Sequence, residues 1–121
     1  MGRASSKTIG DLGERLAAEF LEKRNYEIVE RNFRWERGEI DIIARKEDLL
    51  VFVEVKTART QTFGAPETWV DKRKQQQIGM AAERYLQLHD IQNVDCRFDV
   101  VAVTRHAQQW QIRHIENAFW L

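Results

Sequence analysis

The run "LLVFV", Leu49 to Val53, is apolar at every position. A strand turns alternate side chains to opposite faces, so a run with no polar face belongs in the centre of a sheet. Directly before it comes "EIDIIARK", also rich in β-branched residues. Only Glu47 and Asp48 separate the two runs, which predicts a hairpin. A two-residue tip sets Lys46 opposite Leu49, and partners then carry numbers that sum to 95. A four-residue tip keeps this register, whereas an odd-length loop shifts it by one. Asp41 is therefore expected to face Glu54 and Glu39 to face Lys56, with all four side chains on one face.

Carboxylates opposed across a ladder, with Cβ atoms roughly 5 Å apart, repel each other unless a counter-charge lies between them. Lys56 supplies one positive charge, and a divalent cation would supply more. Hard oxygen ligands suit magnesium or manganese, and no Cys/His cluster points to zinc. A metal that acidifies water, beside a lysine able to stabilise developing negative charge or help remove a proton, is an arrangement for phosphodiester hydrolysis. The bland alternative is a solvated sheet face whose cross-strand pairs are worth about 0.2 to 1 kcal/mol each. The apolar neighbours Ile40, Ile42, Ile43, Val53 and Val55 weigh against it. A glycosidase-like carboxylate pair is a third option, but it leaves Lys56 without a task.

Around the hairpin, Ile9, Leu12, Leu16, Ala17, Phe20 and Leu21 recur at helical spacing and predict a helix over 8–24, closed by Asn25 in a left-handed conformation. "YEIVERNF" (26–33) reads as a strand with imperfect alternation, followed by a loop at "RWERG". A polar loop over 57–66, containing the single Pro66, leads to a second helix with Asp71 as N-cap and Ile78, Ala81, Ala82, Tyr85 and Leu86 on its apolar stripe. "CRFDVVAVT" (96–104) is a buried strand and "WQIRHI" (110–115) a short edge strand. The order is helix, strand, strand, strand, helix, strand, with one strand to spare: an α/β (α+β) chain with a mixed sheet flanked by helices.

Length and composition set outer limits. The 121 residues fit one domain, with 1–7 expected to be flexible, and no apolar run approaches a membrane span. The lone Cys96 and the lack of an apolar leader fit a cytoplasmic protein. Nineteen basic residues balance nineteen acidic ones, so a nucleic-acid partner has to be argued locally.

Several stretches occur in order and at family-like spacings: "GERLAAEFLEKRNYEIVERNFR", "GEIDIIA", "LVFVEVKT", "FGAPE", "KRKQQQI" and "RFDVVAV". Through them the chain resembles the YraN-like family of small bacterial proteins, in the PD-(D/E)xK restriction-endonuclease-like superfamily beside the archaeal Holliday junction resolvases. The resemblance implies a restriction-endonuclease-like core, Asp41 and Glu54 as ligands of Mg2+ or Mn2+, and Lys56 as the catalytic lysine. It also implies a glutamate of the first helix near the metal. Glu14 fits, because it lies about 20° around the helix from Leu21, at the edge of the apolar stripe; Glu19, at the other edge, is the decoy. Glu39 is an auxiliary acid. Ile40 stands where the motif has proline, and "KTAR" stands where relatives often read K-T-R, which puts a phosphate contact from Arg59 in doubt.

Other residues carry paired readings. Lys72, Arg73 and Lys74 open the second helix, where they would hold a nucleic-acid backbone or form a solvated basic turn. Arg34, Trp35 and Arg37 would grip phosphates and stack a base, or Trp35 would plug the core. Gln75, Gln76 and Gln77 would line the cleft or face solvent. Trp69, Trp110 and Trp120 suggest packing, and His89, His106 and His114 read as surface residues. Asp99, inside an apolar strand, would support the site or make a structural hydrogen bond. The tail "AFWL" suggests a homodimer or back-folding onto the core.

The resulting expectation is a divalent-metal-dependent endonuclease acting on DNA, with structured or branched forms among the candidates. A non-catalytic nucleic-acid-binding module with the same fold is the alternative. A purely structural protein is the third class; it would tolerate Asp41→Asn and Glu54→Gln.

Overall fold

The computed structural model describes residues 6–58 and 69–119. Within them run α1 (Ser6–Lys23), β1 (Glu27–Trp35), β2 (Gly38–Lys46), β3 (Leu49–Ala58), α2 (Lys72–Leu88), β4 (Asp95–His106) and β5 (Gln109–Ile115). This is the expected order, with β5 as the spare strand. Residues 1–5, Arg59, the "FGAPE" stretch with Pro66, and Trp120 and Leu121 lie outside the described residues.

The sheet is ordered β1-β2-β3-β4-β5, and β3 pairs parallel with β4 while every other neighbour is antiparallel. Parallel pairing follows from the crossover through α2. β3 lies in the middle, as its two apolar faces require: Val51, Phe52 and Val53 are almost fully buried. On one face α1 packs Ala17, Ala18 and Leu21 against Ile42, Ala44, Val51, Val53, Val101 and Val103. On the other, α2 packs Ile78, Ala81, Ala82 and Tyr85 against Ile40, Ile43, Leu50, Phe52 and Val100.

Local signals end the helices where the sequence suggested. Asn25 takes φ 72 and Tyr26 N–H donates to the Leu21 carbonyl at 3.0 Å, closing α1. The Asp71 carboxylate accepts the Lys74 N–H at 2.8 Å and starts α2. Two loops are shorter than expected. β3 continues through Thr57 and Ala58, paired with Val103 and Thr104, and the "RWERG" loop shrinks to a turn at Glu36 and Arg37, with Glu36 at φ 54.

The hairpin holds the expected register from Lys46↔Leu49 to Ile42↔Val53, and there the β2–β3 ladder ends. Beyond it β2 stays paired with β1 as far as Gly38, and β3 with β4 as far as Ala58, so the two central strands separate. Asp41↔Glu54 and Glu39↔Lys56 are thus not ladder pairs. The cause is a break in alternation. Ile42 belongs to the α1-side core and Ile40, two residues away, to the α2-side core. Strict period-2 geometry would put both on one face. Opposite this break, Asn32 stands at φ 57, and Asn32 and Asp41 are skipped in the β1–β2 ladder between Arg31↔Ile42 and Phe33↔Ile40. A left-handed residue lets the strand turn over, and Asn tolerates that conformation well.

Candidate active site

The gap between the separated strands is a cleft of about 740 Å³. Glu14, Asn32, Arg34, Glu39, Asp41, Glu54, Lys56 and Lys74 are among the residues that line it. The four charged residues expected to share one face do line one cleft, but by strand separation rather than by a continuous ladder.

Four of the acids lining the cleft, Glu14, Glu39, Asp41 and Glu54, already have a donor from their own chain. Asp41 Oδ2 accepts the Val55 N–H at 2.7 Å, across the point where β2 and β3 part. Glu54, 6% exposed, accepts from Lys74 Nζ at 2.6 Å. Glu14 accepts from Arg31 Nε at 3.1 Å. Glu39 pairs with Arg34 at 3.2 Å in a more open setting. Lys56 lines the cleft and pairs with no acid among the described residues.

Burial, reinforced by the negative charge of Glu54, pushes the Asp41 carboxyl up to about 7; the Val55 N–H opposes the rise without cancelling it. Lys74 moves the other way from what burial alone would cause: desolvation would lower it, but the hydrogen bond and charge of Glu54 outweigh that and hold its ammonium above the usual value. The cleft is short of positive charge at Asp41, and Lys74 relieves Glu54.

The donor set suits a hard divalent cation. All the acids lining the cleft are carboxylates, with no thiol or imidazole beside them. As they stand, no three carboxylate, imidazole or thiol groups among the described residues converge closely enough to hold an ion. In that state Arg31 pairs with Glu14 and Lys74 with Glu54.

Glycine sets the position of Glu14. A Cβ on Gly13 would collide with the side chain of Thr57, so only glycine lets this turn of α1 lie against β3 and bring the next residue over the cleft. Gly38 does the same for α2, since its absent side chain makes room for the Gln77 carbonyl. Glu19 is exposed on the far side of α1.

The remaining residues divide clearly. Arg37 and Gln77 line a smaller hollow of about 150 Å³ that shares Glu39, Asp41, Glu54 and Lys74 with the main cleft. Lys72 and Arg73 are exposed on the first turn of α2 and line neither hollow. Gln75 donates to the Val70 carbonyl, and Gln76 is exposed. Trp35 is not a core plug: it is 36% exposed, with the Arg84 guanidinium 4.5 Å from its ring centre. Trp69 and Trp110 pack at the edges of the two cores. Phe119 folds back onto Phe98, which settles part of the apolar tail.

His114 is not a surface residue. Its side chain is 8% exposed and its Nε2 lies 2.7 Å from Asp99 Oδ2. Asp99, fully buried, also accepts two bonds from Arg97 and the Asn117 N–H, while Arg97 donates to the Tyr26 hydroxyl. None of Asp99's partners Arg97, His114 and Asn117 lines either hollow, so its hydrogen bonds are the structural ones. Burial would raise its carboxyl, but the bonds from His114, Arg97 and Asn117 bring it below the usual range. His89, by contrast, is exposed beside Tyr85, and His106 is exposed at the end of β4.

Two residues the sequence did not single out shape the cleft. Arg31 pairs with an acid on another element, a relation without a sequence signature. Asn32 left a faint one, as the last of three consecutive polar residues in an otherwise alternating strand.

A model of the uncharacterised protein family UPF0102 matches residues 13–103. A UPF0102 protein of Alkaliphilus metalliredigens is 44% identical over 114 residues, covering 94% of this chain and 99% of the relative. One from Geotalea daltonii is 46% identical over 120 residues, covering 98% and 94%, and one from Flavobacterium johnsoniae is 40% identical over 120 residues, covering 97% and 98%.

Proposed function

The chain belongs to the uncharacterised protein family UPF0102, the YraN-like family, and from the acidic cleft it carries we propose that it is a divalent-metal-dependent endonuclease hydrolysing DNA phosphodiesters. The observation that carries this reading is the placement of Asp41, Glu54 and Lys56 around one opening between two separated central strands. Asp41, Glu54 and Glu14 would hold the ion, magnesium or manganese. When bound, that ion supplies a Lewis acid for the phosphate and lowers the pKa of attacking water. Lys56 stabilises the negative charge that develops on the phosphate or takes part in deprotonating the water. Glu39 is an auxiliary acid that keeps Arg34 at the rim. Arg34, Arg37, Lys72 and Lys74 hold backbone phosphates and give affinity without reading sequence.

The test is a panel of single-stranded, duplex, flap and four-way DNA incubated with the purified protein and magnesium or manganese. Metal-dependent cleavage that falls at least about a hundredfold in Asp41→Ala and in Lys56→Ala is expected. Cleavage at full rate in either variant contradicts the assignment. A second reading, a nucleic-acid-binding module without turnover, draws on the donors that already satisfy the acids. It requires salt-sensitive DNA binding that is indifferent to metal.

A further inference from the structure

In three of the cleft's pairs the acid is the less exposed partner and the cation the more exposed one. Side-chain exposure is 6% for Glu54 against 42% for Lys74, 12% for Glu14 against 41% for Arg31, and 38% for Glu39 against 74% for Arg34. The carboxylates are fixed by the strands and helix that carry them, whereas the cations reach in from the rim on long, flexible stems.

Lys74 is the sharpest case. Its main chain is anchored at the first turn of α2 by the Asp71 cap, and α2 is seated closely on β2 at Gly38. Only its side chain is free to move. Its ammonium sits 2.6 Å from the most buried carboxylate of the cleft, and it lines both the main cleft and the smaller hollow beside Arg37. A hard cation approaching Glu54 meets Lys74 first.

We propose that Lys74 is an exchangeable counter-ion: its ammonium holds the cation position on Glu54 in the metal-free protein and turns out to the phosphate of the nucleic acid when a divalent ion is taken up. This rests on the metal-binding clause of the proposed function. One side chain thus neutralises the cleft at rest and becomes a phosphate contact in the loaded state. In the resting protein Glu54 is thus engaged by Lys74 on α2, while Asp41 accepts from the Val55 N–H on β3.

The experiment is titration of the full chain with Mn2+ alone, without DNA, by calorimetry and by the loss of the free-ion paramagnetic signal. Wild type, Lys74→Met, Lys74→Arg and Glu54→Gln are compared, with melting curves recorded with and without the ion. Removing the competing ammonium is expected to tighten Mn2+ binding in Lys74→Met by roughly threefold to tenfold. Lys74→Arg stays near wild type and Glu54→Gln binds more weakly. Without metal, Lys74→Met melts lower than wild type, because Glu54 loses its partner, and Mn2+ raises its melting temperature by more. Equal or weaker Mn2+ binding in Lys74→Met, with wild type binding normally, overturns the counter-ion role and leaves the metal site standing. Absence of Mn2+ binding in both wild type and Lys74→Met overturns the two together. Should Lys74→Met fail to fold, Lys74→Gln takes its place with the same expectations.

Discussion

Asp41 Oδ2 receives the main-chain N–H of Val55 at 2.7 Å, so a side chain of β2 takes the place of a ladder bond where β2 and β3 separate. The opening of the cleft and the placing of its acid are one structural event. Asp41 can reach Val55 because β2 turns over at this residue, opposite the left-handed Asn32.

The pH dependence of stability follows from that position. Asp41 has a folded pKa of about 7 against an ordinary value of 3.8, so between these values the folded state holds a proton that the unfolded state has released. Stability contributed by this group is present below about pH 4 and is lost as pH rises through about 7. Asp41→Asn, which keeps an acceptor for the Val55 N–H, is expected to be more stable than wild type at pH 8 by roughly 1 to 3 kcal/mol and nearly equal at pH 4. Urea melts at the two pH values check this; equal stability at pH 8 contradicts it.

Asp99 has the opposite sign. Its folded pKa lies below the ordinary value, so its contribution is present above about pH 4 and is lost as pH falls through the folded value. Asp99→Asn removes the buried negative charge that Arg97 and His114 share and is expected to cost about 3 to 5 kcal/mol at neutral pH. It also frees the segment that Asn117 anchors to Asp99. Hydrogen exchange at Asn117 and Ala118, whose N–H groups bond to Asp99 and to the Phe98 carbonyl, should rise first.

Gly13→Ala should be destabilising, although alanine is the better helix former by about 1 kcal/mol. The added methyl meets the Thr57 side chain, and overpacking of this kind costs about 1 to 3 kcal/mol. Thr57→Gly in the same chain should recover most of the loss, as chemical denaturation would reveal. Additive losses in the double variant would show that the contact is not the cause.

Arg34→Ala and Arg37→Ala should each weaken DNA binding and reduce the slope of log affinity against log salt by roughly 1, across unrelated sequences. An unchanged slope would remove these residues from the phosphate interface.

The hairpin register was legible in the sequence because two apolar runs and a short tip leave little freedom. Glu14 was singled out by the family resemblance, and its angle from Leu21 is consistent with the place it takes beside the cleft. The end of the ladder was not legible, because a strand that turns over at one left-handed asparagine keeps its β composition and loses only its period. The burial of His114 leaves no sign in the sequence for a different reason: its partner Asp99 is 15 residues away on a neighbouring strand, and nothing in the spacing of the histidines marks it. Trp35 was ambiguous because its position depends on Arg84, a residue of α2.

The central claim, that this cleft is built for a divalent ion, is tested most directly by anomalous diffraction from crystals soaked in manganese. The account expects a peak coordinated by Asp41 and Glu54, with Lys74 Nζ displaced from Glu54. A cleft without a peak, in crystals where Lys74 still rests on Glu54 at full manganese concentration, would contradict it.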